Sequence, residues 1–140
     1  MNARSSFEFA DAEFLVETSA MAAILLEEPD SGGFASLIGS SICLTTSTNV
    51  FETVLALSKQ KTFTPLIAHQ AVSKFLEAMD IEIIPFTPEM VPHAVAARER
   101  YGRGRKGLNM GDCLSYAAAK QLGLKLLYKG DDFAATDVNA

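Results

Sequence analysis

The stretch FLVETSAMAAILLEEP, residues 14–29, decides the class of fold that this chain adopts. Its first part, Phe14–Thr18, is a short and mostly apolar run, which predicts a buried strand. Ser19 is then in place to cap a helix that begins at once and stops before Pro29. A strand that passes directly into a helix is the unit from which parallel sheets with helical coverings are built.

The same unit recurs along the rest of the chain. Three more apolar runs predict strands at Ile42–Thr45, Ile81–Pro85 and Lys125–Tyr128. The order β-α-α-β-α-α-β-α-α-β predicts an α/β fold with a mostly parallel sheet that is covered by helices on both faces. Helical spacing, capping residues and prolines predict the further helices at residues 34–40, 49–60, 66–79, 88–101 and 112–123.

Apolar and sulfur-containing side chains supply the predicted core. Cys43 and Cys113 lie far apart in the chain and have no paired Cys or His, so we interpret them as small buried hydrophobes rather than as a disulfide or a zinc site. The aromatic residues most simply explained as core are Phe51, Phe75 and Phe86. The spacing within helix 66–79 assigns to its buried face Ile67, Ala71, Phe75 and Met79.

The composition describes an acidic globular chain with one basic segment. The 140 residues are 49% apolar and carry a formal net charge of −5, which argues against a protein that coats nucleic acid through bulk positive charge. The segment RERYGRGRKG, residues 98–107, nevertheless holds five basic residues and one acid. It predicts a local anionic ligand or partner, although a solvated surface is the usual explanation of a charge run.

The sequence also bears on compartment and domain organisation. No apolar run approaches the 18 residues of a membrane span. The N-terminal residues are acidic and lack the apolar region of a secretory signal, and the cysteines form no disulfide framework, so we expect a cytoplasmic protein without membrane contact. We expect residues 1–13 to form a tail and residues 14–140 to form one domain.

Five acidic residues fall where predicted strands end or where neighbouring helices begin. Ligands of open parallel sheets bind at the carboxyl ends of the strands, so we expect these acids to meet there. A buried carboxylate is unfavourable unless it is paired or binds a cation, and the first acid lies in a run that looks buried. Each of the other four acids also has an ordinary structural explanation, at a helix terminus, in a turn or on a solvated surface. The five acids are Glu17, Glu52, Asp112, Asp131 and Asp132.

A cluster of carboxylates predicts a bound divalent cation. Carboxylates that lie a few ångströms apart repel one another, and their pKa values rise unless a positive charge lies between them. Oxygen ligands without His or Cys favour Mg²⁺ or Mn²⁺. Such an ion can activate water and stabilise charge on a phosphoryl group. His69 and His93 have no second ligand at metal spacing, so we interpret both as structural or exposed.

Four segments of the chain carry a family resemblance: LVETSAMAAILLEEP, NVFETVLAL, LNMGDCLSYAAAK and LLYKGDDFAATD. In this order, within residues 14–138, they resemble the PIN-domain ribonucleases, and among these the VapC-type toxins of type II (VapBC) toxin–antitoxin pairs. The resemblance implies a three-layer α/β/α sandwich with a parallel sheet of four or five strands. It also implies metal-dependent cleavage of RNA, commonly tRNA or rRNA, a cognate VapB-type antitoxin that blocks the site, and a homodimer.

The resemblance further implies roles for particular residues. The small hydroxyl residues Thr18 and Ser19 match the pair that follows the first acid of the family. The basic segment becomes an RNA contact through Arg98, Arg100, Arg103, Arg105 and Lys106. The catalytic set becomes Glu17, Glu52, Asp112 and Asp131, where Asp131 is favoured over Asp132 and Asp137 because it directly follows Gly130. The implied metal ligands are Glu17, Asp112, Asp131 and Asp132.

The first acid departs from the family pattern. The family normally has Asp where this chain has Glu17, whose side chain is one methylene longer. Because Mg²⁺ requires near-ideal octahedral geometry, we expect Glu17 to weaken metal binding and activity. Two hypotheses therefore stay open, an active Mg²⁺-dependent endoribonuclease and an impaired PIN-domain protein that acts mainly by binding an antitoxin. A receiver-like phosphate-handling domain is a third, disfavoured because no acid pair follows the first strand.

Overall fold

The sheet has four strands, all parallel. The computed structural model describes residues 11–104 and 107–138, so residues 1–10 of the predicted tail, and Arg105 and Lys106 of the basic segment, lie outside the described residues. The strands lie in the order β3-β2-β1-β4, and Leu15 of β1 is opposite both Leu44 of β2 and Leu126 of β4. Their bounds are β1 (Phe14–Val16), β2 (Cys43–Thr46), β3 (Glu82–Ile84) and β4 (Lys125–Leu127).

Two helices connect each pair of successive strands, which confirms the predicted order of elements. A 3₁₀ turn, Pro88–Met90, precedes the fifth α-helix, so that helix begins three residues later than predicted. Within the described ranges, no helix combines the length and the apolar character needed to cross a membrane. The helices are α1 (Thr18–Leu25), α2 (Ser31–Gly39), α3 (Ser47–Ser58), α4 (Pro65–Ala78), α5 (Val91–Tyr101) and α6 (Met110–Leu122).

Alternating side chains of the strands divide the core into two halves. Leu15 and Leu44 pack with buried residues of α5 and α6 on one face of the sheet. Val16 and Cys43 pack with buried residues of α1 to α4 on the other face. Successive side chains of a strand point to opposite faces, which produces this division. The result is the predicted three-layer α/β/α sandwich, in which Cys43 and Cys113 are buried free thiols as expected.

Two predictions about buried side chains are wrong. Phe51, predicted as core, is 62% exposed, whereas Phe75 is buried and Phe86 packs partly buried against the core. Ile67 is 47% exposed. The face of α4 that packs against α3 is displaced by one residue from the predicted face. The helix spacings of three and four residues generate overlapping stripes, so periodicity alone selected the wrong one. The buried residues of α4 are Ala68, Val72, Phe75 and Leu76.

Three helices end in a left-handed residue. The backbone N–H groups of Glu27 and Glu28 donate to carbonyls in the last turn of α1 at 3.1 and 2.9 Å, the paired bonds of a Schellman motif. Gly123 ends α6 with φ of 68°, as the sequence predicted. At the corresponding positions, however, α1 ends with Glu27 at φ 54° and α4 with Asp80 at φ 57°. Only glycine adopts this backbone without a steric penalty.

Glu27→Gly should therefore stabilise the fold. Glu27 is exposed, and a glycine in its place removes the left-handed penalty at a cost in unfolded-chain entropy, for a net gain of about 0.5–1 kcal/mol in the free energy of unfolding. Urea denaturation measures this gain. Gly123→Ala is the matched control and should lower stability by a similar amount. A loss of stability in Glu27→Gly contradicts the prediction.

Candidate functional site

The first acid, Glu17, caps the helix that follows it. The prediction that Ser19 is the cap is wrong, because α1 already begins at Thr18 and Ser19 lies inside it. The backbone N–H of Ser19 donates to Glu17 Oε1 at 2.9 Å, and the Ser19 hydroxyl donates to the same oxygen. The carboxyl group of Glu17 is thus folded back onto its own helix. The Ser19 hydroxyl also accepts from the backbone N–H of Lys129 at 2.8 Å, which ties the exit of β4 to this cap.

Burial dominates the electrostatics of Glu17. Its exposed fraction is 7%, and burial raises the pKa of its carboxyl group to about 7, against the two bonds from Ser19 that lower it. The negative charges of Asp112 and Glu52 raise this pKa further. The nearby Lys129 does not neutralise the acids, because its ammonium group pairs with Glu28 at 2.7 Å. Glu17 is therefore a buried acid under repulsion from two others.

The second acid, Glu52, lies against the first turn of α6. A β-carbon at Gly111 would lie 1.9 Å from Glu52 Oε2, so a larger residue there would displace the Glu52 carboxyl group. Glu52 Oε1 is buried and, within the described part of the chain, has no hydrogen-bond partner. Burial and then the charge of Asp112 raise the pKa of the Glu52 carboxyl group. A buried carboxylate oxygen without a donor is unfavourable, which is typical of an atom that contacts a ligand.

The third acid, Asp112, is fixed by a capping box at the start of α6. The Asp112 N–H donates to Asn109 Oδ1 at 2.8 Å, and the Asn109 N–H donates back to Asp112 Oδ2 at 3.1 Å. The side chain is 8% exposed. Burial raises the pKa of Asp112, the backbone bond from Asn109 lowers it, and the charge of Asp132 raises it. The capping box therefore orients one carboxyl oxygen and leaves the other available.

The structure distinguishes the three candidates for the fourth acid. Asp132 acts electrostatically on Asp112, whereas Asp131, favoured by the sequence, acts on Tyr128 and raises its pKa. Asp137 is committed elsewhere, since it accepts from the Tyr116 hydroxyl at 2.8 Å and from Lys120 Nζ at 2.5 Å. We therefore include Asp132 in the site because of its effect on Asp112, and the role of Asp131 stays a prediction.

The acids lie close enough to affect one another's pKa values, but they do not form a complete set of metal ligands among the described residues. Beyond the effect of burial, the charges of Asp112 and Glu52 raise the pKa of Glu17, and the charge of Asp132 raises that of Asp112, as the sequence led us to expect of acids that follow parallel strands. Across residues 11–104 and 107–138, however, no three carboxylate, imidazole or thiolate side chains are grouped so that they could hold one metal ion. The acid cluster, defined as Glu17, Glu52, Asp112 and Asp132, is the candidate active site.

The acid cluster and the fold agree with a comparison against known families. Residues 14–139 match the model of the PIN domain. The ribonuclease VapC30 of Mycobacterium tuberculosis is 34% identical over 127 residues, which cover 89% of this chain and 95% of the relative. The chain is a PIN domain of the VapC family. A VapC ribonuclease of Rhizobium meliloti is also 34% identical, over 88% of this chain and 97% of its own length.

Solved structures support the same fold for this VapC-family chain. VapC20 of Mycobacterium tuberculosis, a toxin that cleaves the sarcin–ricin loop, superposes with a TM-score of 0.70 at 19% identity, over 88% of this chain and 94% of that protein. VapBC2 of Rickettsia felis, bound to a fragment of promoter DNA, gives 0.68 at 18% identity, over 90% of this chain and 94% of that one. At these identities the likeness establishes the fold.

Three basic residues of the segment predicted to bind RNA lie in the described part of this PIN domain. Arg98 lies on α5, and its Nη1 donates to the Leu108 carbonyl at 2.8 Å, which anchors the loop before α6. Arg100 lies near the ring of Tyr101, with its guanidinium carbon 5.9 Å from the ring centroid. Arg103 is exposed in the loop that follows α5. The described part of the segment therefore runs from the end of a helix into a loop.

Sequence reasoning missed Asn49, which lies at the centre of this site. Its side chain is fully buried, and its Oδ1 accepts from the hydroxyls of Thr18 at 3.1 Å and Ser115 at 2.9 Å. An available signal was its position one turn before Glu52, beside the apolar stripe of α3. Thr46 caps that helix by accepting from the Asn49 N–H at 3.1 Å.

The residues of this VapC-family site suit a hard divalent cation. The donors are carboxylate oxygens, the charges that raise their pKa values are those of other acids, and one buried oxygen of Glu52 lacks a partner. A divalent cation removes each of these costs. Mg²⁺ usually keeps several waters and uses only one or two carboxylates directly, so a site without three converged ligands is compatible with it.

Proposed function

We propose that this VapC-family protein is a metal-dependent endoribonuclease toxin that cleaves tRNA or rRNA in the cytoplasm and is neutralised by a VapB-type antitoxin. The observation that carries the proposal is the acid cluster, in which burial, and then the charges of neighbouring acids, raise the pKa values of Glu17, Glu52 and Asp112. Carboxylates in this state gain most from a cation. The relatives named as VapC ribonucleases support the reaction class.

The proposed ion is Mg²⁺ or Mn²⁺, with Glu17, Asp112 and an acid of the Asp131–Asp132 pair as its candidate ligands, of which one or two would bind it directly and the rest through water. When bound, such an ion activates water and stabilises the charge that develops on the phosphate. The chain's own contribution is orientation and proton handling. The capping box with Asn109 holds the Asp112 carboxylate towards the cluster. Glu52, with its raised pKa and unpartnered Oε1, is suited to accept a proton from the attacking water.

RNA binding is proposed for the basic segment. Arg98, Arg100 and Arg103 belong to the stretch that leads into α6, which carries Asp112. Arg105 and Lys106 complete the segment in the sequence. Contacts of this kind hold the phosphate backbone without reading the bases. The net charge of −5 favours such a local contact over binding along the whole surface.

Exposed apolar side chains beside the acid cluster support a partner protein. Phe51 is 62% exposed, Leu55 is 46% exposed and Met110 is 79% exposed, and these residues flank Glu52 and Gly111. Exposed apolar side chains gathered in one place are typical of protein interfaces. An antitoxin segment that covers them would also block the acids. A homodimer is also proposed, on the family resemblance alone.

Glu17 favours a second candidate, a VapC-family protein with an impaired site. Its Oε1 is occupied by two donors from Ser19, so the carboxyl group is directed to its own helix rather than presented freely to an ion. In this alternative the protein acts mainly by binding its antitoxin. The two candidates differ in whether the chain cleaves RNA with metal present.

Cleavage of structured RNA with different metals tests the proposal. We expect no cleavage with a chelator, slow cleavage with Mg²⁺ and faster cleavage with Mn²⁺, which shares the preference for oxygen ligands. Glu17→Asp should raise the Mg²⁺-dependent rate about tenfold, because the shorter acid restores the geometry that an octahedral ion needs. No cleavage by the parent protein, with antitoxin binding intact and cleavage regained in Glu17→Asp, supports the impaired alternative. Equal rates and equal Mg²⁺ affinity contradict the effect assigned to Glu17.

A further inference from the structure

One buried amide joins the three helices that carry the acids. Asn49 Oδ1 accepts from Thr18 Oγ1 at 3.1 Å and from Ser115 Oγ at 2.9 Å. Thr18 begins α1, Asn49 lies in the first turn of α3, and Ser115 lies in the second turn of α6. The exposed fractions of Asn49 and Ser115 are 0% and 1%, so the bond between them is buried, whereas the bond from half-buried Thr18 is partly buried.

Each partner in this link is close in sequence to an acid of the cluster. Thr18 directly follows Glu17, Asn49 precedes Glu52 by three residues, and Ser115 follows Asp112 by three residues. Helix residues three apart lie on the same face. The link therefore connects α1, α3 and α6 on the faces that present the acids. A second contact from Thr18 to the Asn49 carbonyl oxygen at 3.3 Å reinforces the connection between α1 and α3.

The side-chain amide of Asn49 lowers the stability of the fold in one respect, and the fold does not need an amide at this position. Asn49 Nδ2 is buried and has no hydrogen-bond partner among the described residues. A buried donor without an acceptor lowers stability, whereas an apolar side chain at a fully buried position has no such donor. The benefit of the amide is therefore the pair of bonds that it makes to neighbouring helices. It is also uncharged, so it draws together three mutually repelling acids without adding to their repulsion.

We propose that Asn49 is a positioning residue, which sets the spacing of Glu17, Glu52 and Asp112 and thereby the affinity of the acid cluster for a divalent cation. The inference rests on the proposed metal-dependent function. Helices that carry repelling ligands move apart when nothing holds them. Metal binding must then bring the helices together, and the energy that this takes lowers the affinity for the metal. The Thr18–Asn49–Ser115 link removes that need before the ion arrives.

Mn²⁺ titration of Asn49→Ala against a matched variant tests the proposal. Thr53→Val is the control, because Thr53 is also fully buried on α3 but donates its hydroxyl only to the Asn49 carbonyl of its own helix, at 2.7 Å. Both variants lose a buried polar group and should melt below the parent protein. We expect Asn49→Ala to bind Mn²⁺ at least tenfold more weakly by calorimetry and to require correspondingly more metal for cleavage. Thr53→Val should keep the parent affinity.

If Asn49→Ala does not fold, Ser115→Ala replaces it in the test. Ser115→Ala removes the bond from Ser115 to Asn49 and leaves Asn49 bonded to Thr18. It should weaken Mn²⁺ binding several-fold, and its effect should not add to that of Asn49→Ala, because both break the same bond. Parent-like Mn²⁺ affinity in a folded Asn49→Ala or Ser115→Ala overturns the inference while the proposed function stands. A parent protein that binds no Mn²⁺ and cleaves no RNA overturns the proposed function, and the inference with it.

Discussion

Asp112→Asn should reduce metal-dependent RNA cleavage by about a hundredfold or more. The change removes a negative charge where the proposed metal binds, and interactions with a metal contribute several kcal/mol to stabilisation of the transition state. The shape of the side chain is retained, and an asparagine oxygen can still accept from the Asn109 N–H that now binds Asp112 Oδ2 at 3.1 Å. Stopped time courses with Mg²⁺ and with Mn²⁺ measure the loss.

Stability provides the complementary measurement for Asp112→Asn. Burial and the charge of Asp132 raise the pKa of Asp112, so neutralising the side chain relieves an unfavourable ionised state. Without metal, the melting temperature should stay equal to that of the parent protein or rise. Cleavage at the parent rate would mean that Asp112 is not a metal ligand of consequence.

Asp137→Asn is the matched control for Asp112→Asn. It makes the same chemical change, but Asp137 binds Tyr116 and Lys120 instead of joining the acid cluster. Those partners lower the pKa of Asp137, so its ionised form is favourable and the variant should lose stability. Its cleavage rate should match that of the parent protein. A large loss of cleavage in Asp137→Asn would place the fourth acid at Asp137 and contradict the arrangement argued above.

Local signals in the sequence were sufficient to predict the architecture. Strands such as Phe14–Val16 are short apolar runs, and Gly123 marks a helix end by backbone conformation alone. The convergence of Glu17, Glu52 and Asp112 was predictable as well, because parallel strands deliver their following residues to one end of the sheet. Each of these inferences needs only the chain's own order and spacing.

The details that sequence reasoning missed depend on contacts between distant parts of the chain. Phe51 is exposed because, among the elements that the structure describes, none covers that side of α3, which helical spacing cannot reveal. Asn49 becomes important only through Thr18 and Ser115, which lie 31 and 66 residues away. The choice between Asp131 and Asp132 depends on how the turn after β4 directs two adjacent side chains. Glu17 caps α1 by folding its side chain back onto the helix, whereas the usual N-cap residues are Ser and Asp.

The metal-free protein should lose stability as the pH rises from about 4.5 to about 7. The folded-state pKa of Glu17 is raised to about 7 from an ordinary value of 4.5. An acid with a raised folded pKa is protonated more readily in the folded state, so its stability contribution is complete below the unfolded pKa and is lost as the pH passes the folded pKa. At one pKa unit per 1.36 kcal/mol, the loss attributable to Glu17 is at most about 3 kcal/mol.

Glu17→Gln isolates this contribution, because it keeps an oxygen that can accept from Ser19 but cannot ionise. Urea denaturation of both proteins between pH 4.5 and pH 7.5, with a chelator present, should give curves that diverge as the pH rises, with Glu17→Gln the more stable at pH 7.5. Glu52 and Asp112 have pKa values raised in the same direction, so some pH dependence should remain in the variant. Mn²⁺ should raise the stability of the parent protein at pH 7.5 more than that of Glu17→Gln, because a ligand that binds only the folded state stabilises it. Parallel curves for the two proteins would show that Glu17 is already ionised at low pH, held by Ser19 more strongly than burial opposes it.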